Sequence, residues 1–259
     1  WRVHPDGTGL ERLTRDPSLE DAGVLSPDGR KLAYVSTKGG ARTANIWVMD
    51  LATRKARNLT GTGSKEAKAT MNGHFRPAWS PDGQWIAFTS DRGEAWLGAE
   101  SGAGAGHWHP TSLYVMRADG SGLRRLTSTT PAESVGTPAW SSDGRRIVVY
   151  QLAVKDTFAA RMDGFPNVRF TANSRIVEVD VPTGASKLLS DTPGLKTNPQ
   201  YLPDGSVGFL YKSNTPTPQA GVAYTSGATG PRGVVRNPSW SPDGRTLVYY
   251  RHDLTNRAQ

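Results

Sequence analysis

Two of the five histidines in this chain stand two residues apart, in Gly106-His107-Trp108-His109-Pro110. On an extended segment both imidazoles face the same way, which suits chelation of a divalent metal. His74, on an adjoining connector, is the third candidate ligand. Glu20 or Asp21 would turn the set into a histidine–carboxylate site. The plain alternative is a surface loop, Asp91 to Thr111, whose Trp96 and Trp108 pack on the domain beneath. His74, Arg76, His107, His109 and Tyr150 are also the parts of a lyase-type site, which needs a base, a charge-neutralising group and a proton donor. Nothing in the sequence places them together, so no catalytic residue is assigned. The cofactor expectation is none, with a divalent metal as its alternative.

Other chemistries are excluded outright. The chain has no cysteine, so disulfides, thiolate zinc sites and cysteine nucleophiles are absent. No Gly-x-Ser-x-Gly elbow occurs. Asp119-Gly120-Ser121-Gly122 is glycine-rich, but it lies between strand-like segments and reads as a hairpin turn.

What must position these residues is a repeated phrase. Ser26-Pro27-Asp28-Gly29 precedes Leu32-Ala33-Tyr34-Val35, and Trp79-Ser80-Pro81-Asp82-Gly83 precedes Ile86-Ala87-Phe88. Trp140-Ser141-Ser142-Asp143-Gly144, Tyr201-Leu202-Pro203-Asp204-Gly205 and Trp240-Ser241-Pro242-Asp243-Gly244 continue the series. Proline presets φ at the first central position of a turn, aspartate suits the second and glycine accepts positive φ. The β-branched and aromatic residues after each turn are strand formers. A second hairpin comes after most copies, as in Leu113-Tyr114-Val115-Met116 leading through the Asp119 turn to Leu123-Arg124-Arg125-Leu126. One unit is therefore four antiparallel strands, a propeller blade. The repeat aspartates at 28, 82, 143, 204 and 243 place the extra length of the longer units between the second and third strands.

The run from Pro77 to Arg92, continued by Leu113 to Thr127, resembles the WD40-like (PD40) repeat of TolB-type β-propellers. That resemblance covers nearly the whole chain and implies an all-β fold of four-stranded blades in one domain, 1–259. Similar repeats form propellers fused to prolyl-oligopeptidase-type hydrolases and occur in some polysaccharide lyases. The predicted units are a half-blade at 1–14, blades at about 20–60, 75–127, 135–190 and 197–236, and a half-blade at 237–252. This is five blades' worth of sequence. Either the two half-blades join and hide both sheet edges, or the chain is part of a six-bladed ring of the TolB type.

The formal charge is +8, from 31 Lys and Arg against 23 Asp and Glu. The basic residues are scattered without a run of five, which reads as a solvated surface rather than a nucleic-acid site. No stretch is apolar enough to span a membrane.

In a four-stranded blade, loops alternate between two faces. The short, regular turns share one face, and the connectors and insertions share the other, where function concentrates. The connectors bring Glu20 and Asp21, His74 and Arg76, Lys196 and Asn198, and Arg236 and Asn237 to the rim of the channel, with Trp96 from the long insertion. Polar groups converging from separate blades are what a polar ligand needs. The insertion from Lys155 to Ser174 is a second candidate surface. The leading expectation is a monomeric, non-catalytic binding propeller of the bacterial envelope, periplasmic or secreted, with a protein or glycan ligand. A lyase-like enzyme, and the propeller of a peptidase, are the alternatives.

Overall fold

The computed structural model describes residues 1–4, 6–38, 44–61, 73–92, 110–127, 133–153, 156, 172–214 and 219–251. Every named element is a strand. β1 (Glu20–Leu25), β2 (Lys31–Ser36), β3 (Asn45–Asp50) and β4 (Ala56–Asn58) form the first sheet. β5 (His74–Trp79), β6 (Trp85–Ser90), β7 (Ser112–Arg117) and β8 (Arg124–Arg125) form the second. β9 (Glu133–Trp140), β10 (Arg146–Ala153), β11 (Ser174–Asp180) and β12 (Ser186–Ser190) form the third. β13 (Leu195–Tyr201), β14 (Val207–Lys212), β15 (Ala220–Tyr224) and β16 (Thr229–Arg232) form the fourth. β17 (Val235–Trp240) and β18 (Leu247–Arg251) pair as a two-stranded sheet. All pairings are antiparallel between sequence neighbours, so each sheet is a blade. Among the described residues there are thus four complete blades. Near the start, Arg2 bridges Glu11 in a short hairpin of its own.

The repeated turn owes its shape to its serine as well as to Pro, Asp and Gly. The Ser80 hydroxyl donates to the Asp82 carboxylate and accepts the Trp85 N–H at 2.9 Å. Gly83 closes the turn on the Ser80 carbonyl at 2.9 Å with φ of 68°, a value that glycine adopts at little cost. Ser26, Ser141 and Ser241 repeat this clamp. In the fourth blade Leu202 stands in the serine's place, and Ser206 donates to Asp204 instead. Each serine hydroxyl, helped by backbone N–H groups, holds its turn aspartate below the usual carboxylate range.

The core lies between blades. Ala33, Val35 and Ile46 of the first blade pack with Trp79, Ile86, Phe88 and Met116 of the second. Ala87, Leu113 and Val115 pack with Val135, Ile147 and Val179 of the third. Strands buried on both faces therefore read as continuous apolar runs rather than alternations. The repeat aromatics tie one first strand to the one before. Trp79 Nε1 donates to the Val24 carbonyl at 3.2 Å, and Trp140 Nε1 to the Ala78 carbonyl at 3.0 Å. A buried tryptophan removes roughly 200 Å² from water, about 5 kcal/mol before ordering entropy is subtracted.

Candidate functional site

The first strands touch one another in series, β1 with β5, β5 with β9, β9 with β13 and β13 with β17. They are the inner strands and line the channel. Each contains a non-glycine residue in the left-handed region: Ala22 at 53°, Arg76 at 54°, Thr137 at 46°, Asn198 at 54° and Asn237 at 48°. Each stands four residues before the first residue of its turn, and each lies at a break in ladder register. Such a residue costs on the order of 1–3 kcal/mol and persists only where packing enforces it. In four blades the next residue is proline, which disfavours the helical region further. A bulge of this kind bends the strand and re-aims the side chains around it.

The residues expected at the channel mouth stand beside these bulges. In the first blade these are Glu20 and Asp21, and in the second Phe75 and Arg76. Thr197 and Asn198 come from the fourth blade, and Arg236 and Asn237 from β17. Asp21, Arg76, Arg236 and Asn237 are exposed. Neither Arg76 nor Arg236 has an ion-pair partner among the described residues. In the third blade the position beside the bulge is Gly136, where a Cβ would come within 2.1 Å of the Tyr150 ring. The tyrosine of the second strand covers the inner strand there.

Two of the expected mouth residues are enclosed by the wall. Lys196 is fully buried. Its ammonium donates to the carbonyls of Ser174 at 2.7 Å, Gly194 at 3.3 Å and Thr192. Burial lowers its pKa to about 8, against the opposing pull of the Asp191 charge. Lys196 thus ties β11 and the connector 191–194 to β13. His74 is 3% exposed, packs edge-on against Phe88 at 5.7 Å and leaves Nδ1 without a partner among the described residues. Burial, and next the charge of Arg92, lower its pKa to about 4, so the ring is neutral.

Trp96, His107 and His109 lie outside the described residues, as does nearly all of the 155–174 insertion. Among the described residues no three His, Asp or Glu side chains gather as a metal would need. Two features escape a reading by residue type. The left-handed bulges are signalled only by the x-Pro that recurs before four of the five turns. The Lys196 cage has no local signal, because its carbonyls come from a different blade and from a connector.

No family model matches this chain. TolB of Anaeromyxobacter dehalogenans, a Tol-Pal system protein, is 31% identical over 135 residues, covering 52% of this chain and 25% of its own length. An uncharacterised peptidase of Bacillus subtilis, YuxL, is 27% identical over 70% of this chain and 27% of its own length. The chain thus spans about a quarter of the length of these curated relatives. Crystalline TolB from Acinetobacter baumannii superposes with a TM-score of 0.63 at 18% identity, over 97% of this chain and 53% of that one. The fold is TolB-like. An oligogalacturonate lyase in complex with manganese matches with the same TM-score of 0.63 at 20% identity, over 92% of this chain and 61% of that one. At such identities the likeness speaks for architecture alone.

Proposed function

We propose that this chain is a binding propeller of the bacterial envelope, periplasmic or secreted and monomeric, whose channel mouth takes a polar protein segment or a glycan. The observation that carries this reading is the ring of bulges. Five successive inner strands are each strained at one place, and beside four of these places stand charged or amide residues. Arg76 and Arg236 are exposed and have no ion-pair partner among the described residues, so they stand ready for an anionic or hydrogen-bonding group. The envelope assignment is supported by the likeness to TolB.

The test compares the wild type with the Arg76→Ala/Arg236→Ala double variant. Both are immobilised and exposed to an envelope extract and to a panel of neutral and acidic oligosaccharides. A ligand retained by the wild type and lost by the variant supports the mouth as the site. A ligand retained equally by both overturns it.

His74 favours a second reading, a metal-assisted lyase-like enzyme. A neutral, buried imidazole with an unpartnered Nδ1 is the form a metal requires. His107 and His109 would complete the donor set. Binding of Mn²⁺ that disappears in His74→Gln supports this reading, and equal binding by both proteins removes it.

A further inference from the structure

On the face of the short turns, the blades differ at one repeated place. The third strand ends on an aspartate in the first and third blades, Asp50 and Asp180, and each accepts a hydroxyl and an N–H from a turn threonine. In the second blade Arg117 ends that strand. It pairs across the ladder with Trp85, as Asp50 pairs with Lys31. Asp119, two residues on, holds the turn through Ser121 instead. A cation thus replaces an acid with the turn left intact, so turn geometry does not ask for it. The Arg117 guanidinium lies over the Trp85 ring at 4.9 Å, which limits its freedom.

Beside Arg117, a cleft of about 280 Å³ opens between the first and second blades, lined by Lys31, Arg57, Gln84, Arg117 and Asp119. Lys31, Arg57 and Arg117 are exposed, and none has an ion-pair partner among the described residues. Ser121, and next the charges of Arg117 and Arg57, hold the Asp119 carboxyl below its usual range. The next two junctions fill or neutralise the same places. Between the second and third blades, Trp85 replaces Lys31 and packs on the core, and Arg124 replaces Arg57 and donates to the carbonyls of Val181 at 2.8 Å and Pro182 at 3.4 Å. Between the third and fourth, Arg146 replaces Lys31 and pairs with Asp143 at 3.2 Å and Glu178 at 3.4 Å. At the first junction three cations face one carboxylate, which leaves two positive charges over.

We propose that this cleft binds a phosphomonoester, with Arg57, Arg117 and Lys31 each serving one of its three terminal oxygens. Such a group is largely a dianion near neutral pH and matches the two charges left over. A carboxylate has two oxygens, which one guanidinium fork already satisfies, so three cations suit a tetrahedral anion better. Asp119 spends Oδ1 on Ser121, and its Oδ2 takes no hydrogen bond from the described residues. That oxygen and the Gln84 amide suit a hydroxyl on the organic part of the ester. The turns lie at the opposite end of the blades from the connectors, so the site stands apart from the mouth and does not depend on it.

The test is calorimetric titration at low ionic strength with glycerol 3-phosphate, with acetate as the carboxylate comparison, and sedimentation with vesicles containing phosphatidate. Arg57→Ala/Arg117→Ala is expected to weaken phosphomonoester binding on the order of 10-fold or more. Lys31→Gln, a single exposed change, is expected to weaken it several-fold and covers the case in which the double variant does not fold. Arg145→Ala/Lys187→Ala removes the same charge from exposed residues of the third blade and is expected to bind as the wild type. Binding of glycerol 3-phosphate supports the site with a free ester as its ligand. Binding of the vesicles alone, lost in the same cleft variants, supports it with a lipid headgroup. Equal weakening in Arg145→Ala/Lys187→Ala would show attraction by net charge only and overturn the proposal. Acetate bound as tightly as the ester would also overturn it, as would a wild type that binds neither the ester nor the vesicles.

Discussion

Acidification should unfold this propeller through His74 before it reaches the carboxylates. The imidazole is 3% exposed and its pKa is lowered from 6.5 to about 4. The unfolded chain takes up a proton below about pH 6.5, but the native fold resists it down to about pH 4. Stability is therefore full above the unfolded pKa and declines as pH falls through this window. Each unit of difference is worth about 1.4 kcal/mol, so about 2 kcal/mol is lost by pH 5 and about 3 kcal/mol by pH 4. The turn aspartates act lower. Their pKa values lie below 3.8, so the stability they contribute disappears only as pH falls beneath that value. Urea unfolding followed by tryptophan fluorescence, at about pH 8 and about pH 5, separates the two windows. His74→Leu should lose most of the change between these pH values while remaining folded. An unchanged pH response in His74→Leu would refute a buried neutral imidazole.

Other substitutions test the wall and the turns. Lys196→Met strips the shared donor from the carbonyls of Ser174, Thr192 and Gly194, and should cost about 1–3 kcal/mol in chemical denaturation. Gly136→Ala drives a methyl into the Tyr150 ring and should cost about 1–3 kcal/mol, whereas Gly136→Ala with Tyr150→Leu should recover most of it. Ser80→Ala removes both the donor to Asp82 and the acceptor for Trp85 N–H, and should cost about 1 kcal/mol and move the Asp82 titration, seen by NMR, back toward 3.8. Arg76→Ala and Arg236→Ala, both exposed, should leave the unfolding midpoint within about 0.5 kcal/mol of the wild type, so any loss of ligand reports on binding.

The blade order was legible because a turn chemistry and a strand chemistry recur together. Ser80-Pro81-Asp82-Gly83 marks where a hairpin bends, and Ile86-Ala87-Phe88 marks the strand that leaves it. The inner strands' place at the channel was legible too, since blade topology dictates it. Side-chain direction was not. Lys196 and His74 belong to mouth connectors by position, yet each stands two residues before its bulge residue and is enclosed by the wall. Phe75 and Arg76, one and two residues further on, are exposed. A shift of one residue along a strand reverses the face, and the bulge that resets that alternation is a backbone event that residue types barely announce.

The repeats themselves separate fold from function, serving as an internal alignment. At turn positions the residues barely vary, because serine, aspartate and glycine are each tied to the local backbone. At the bulge, the residues are Ala22, Arg76, Thr137, Asn198 and Asn237, and one place before it Asp21, Phe75, Gly136, Thr197 and Arg236. The bulge position itself is left-handed in all five copies while its side chain ranges from a methyl to an arginine, so packing does not specify it. Ring symmetry would have been satisfied by one residue used five times. The departure from symmetry leaves acids on the first blade, cations on the second and on β17, and amides on the fourth and on β17. On the proposed reading, a ligand at this mouth would present charge of both signs, or a hydrogen-bonding edge with a defined orientation, and a uniform polyanion would meet Glu20 and Asp21 in its path.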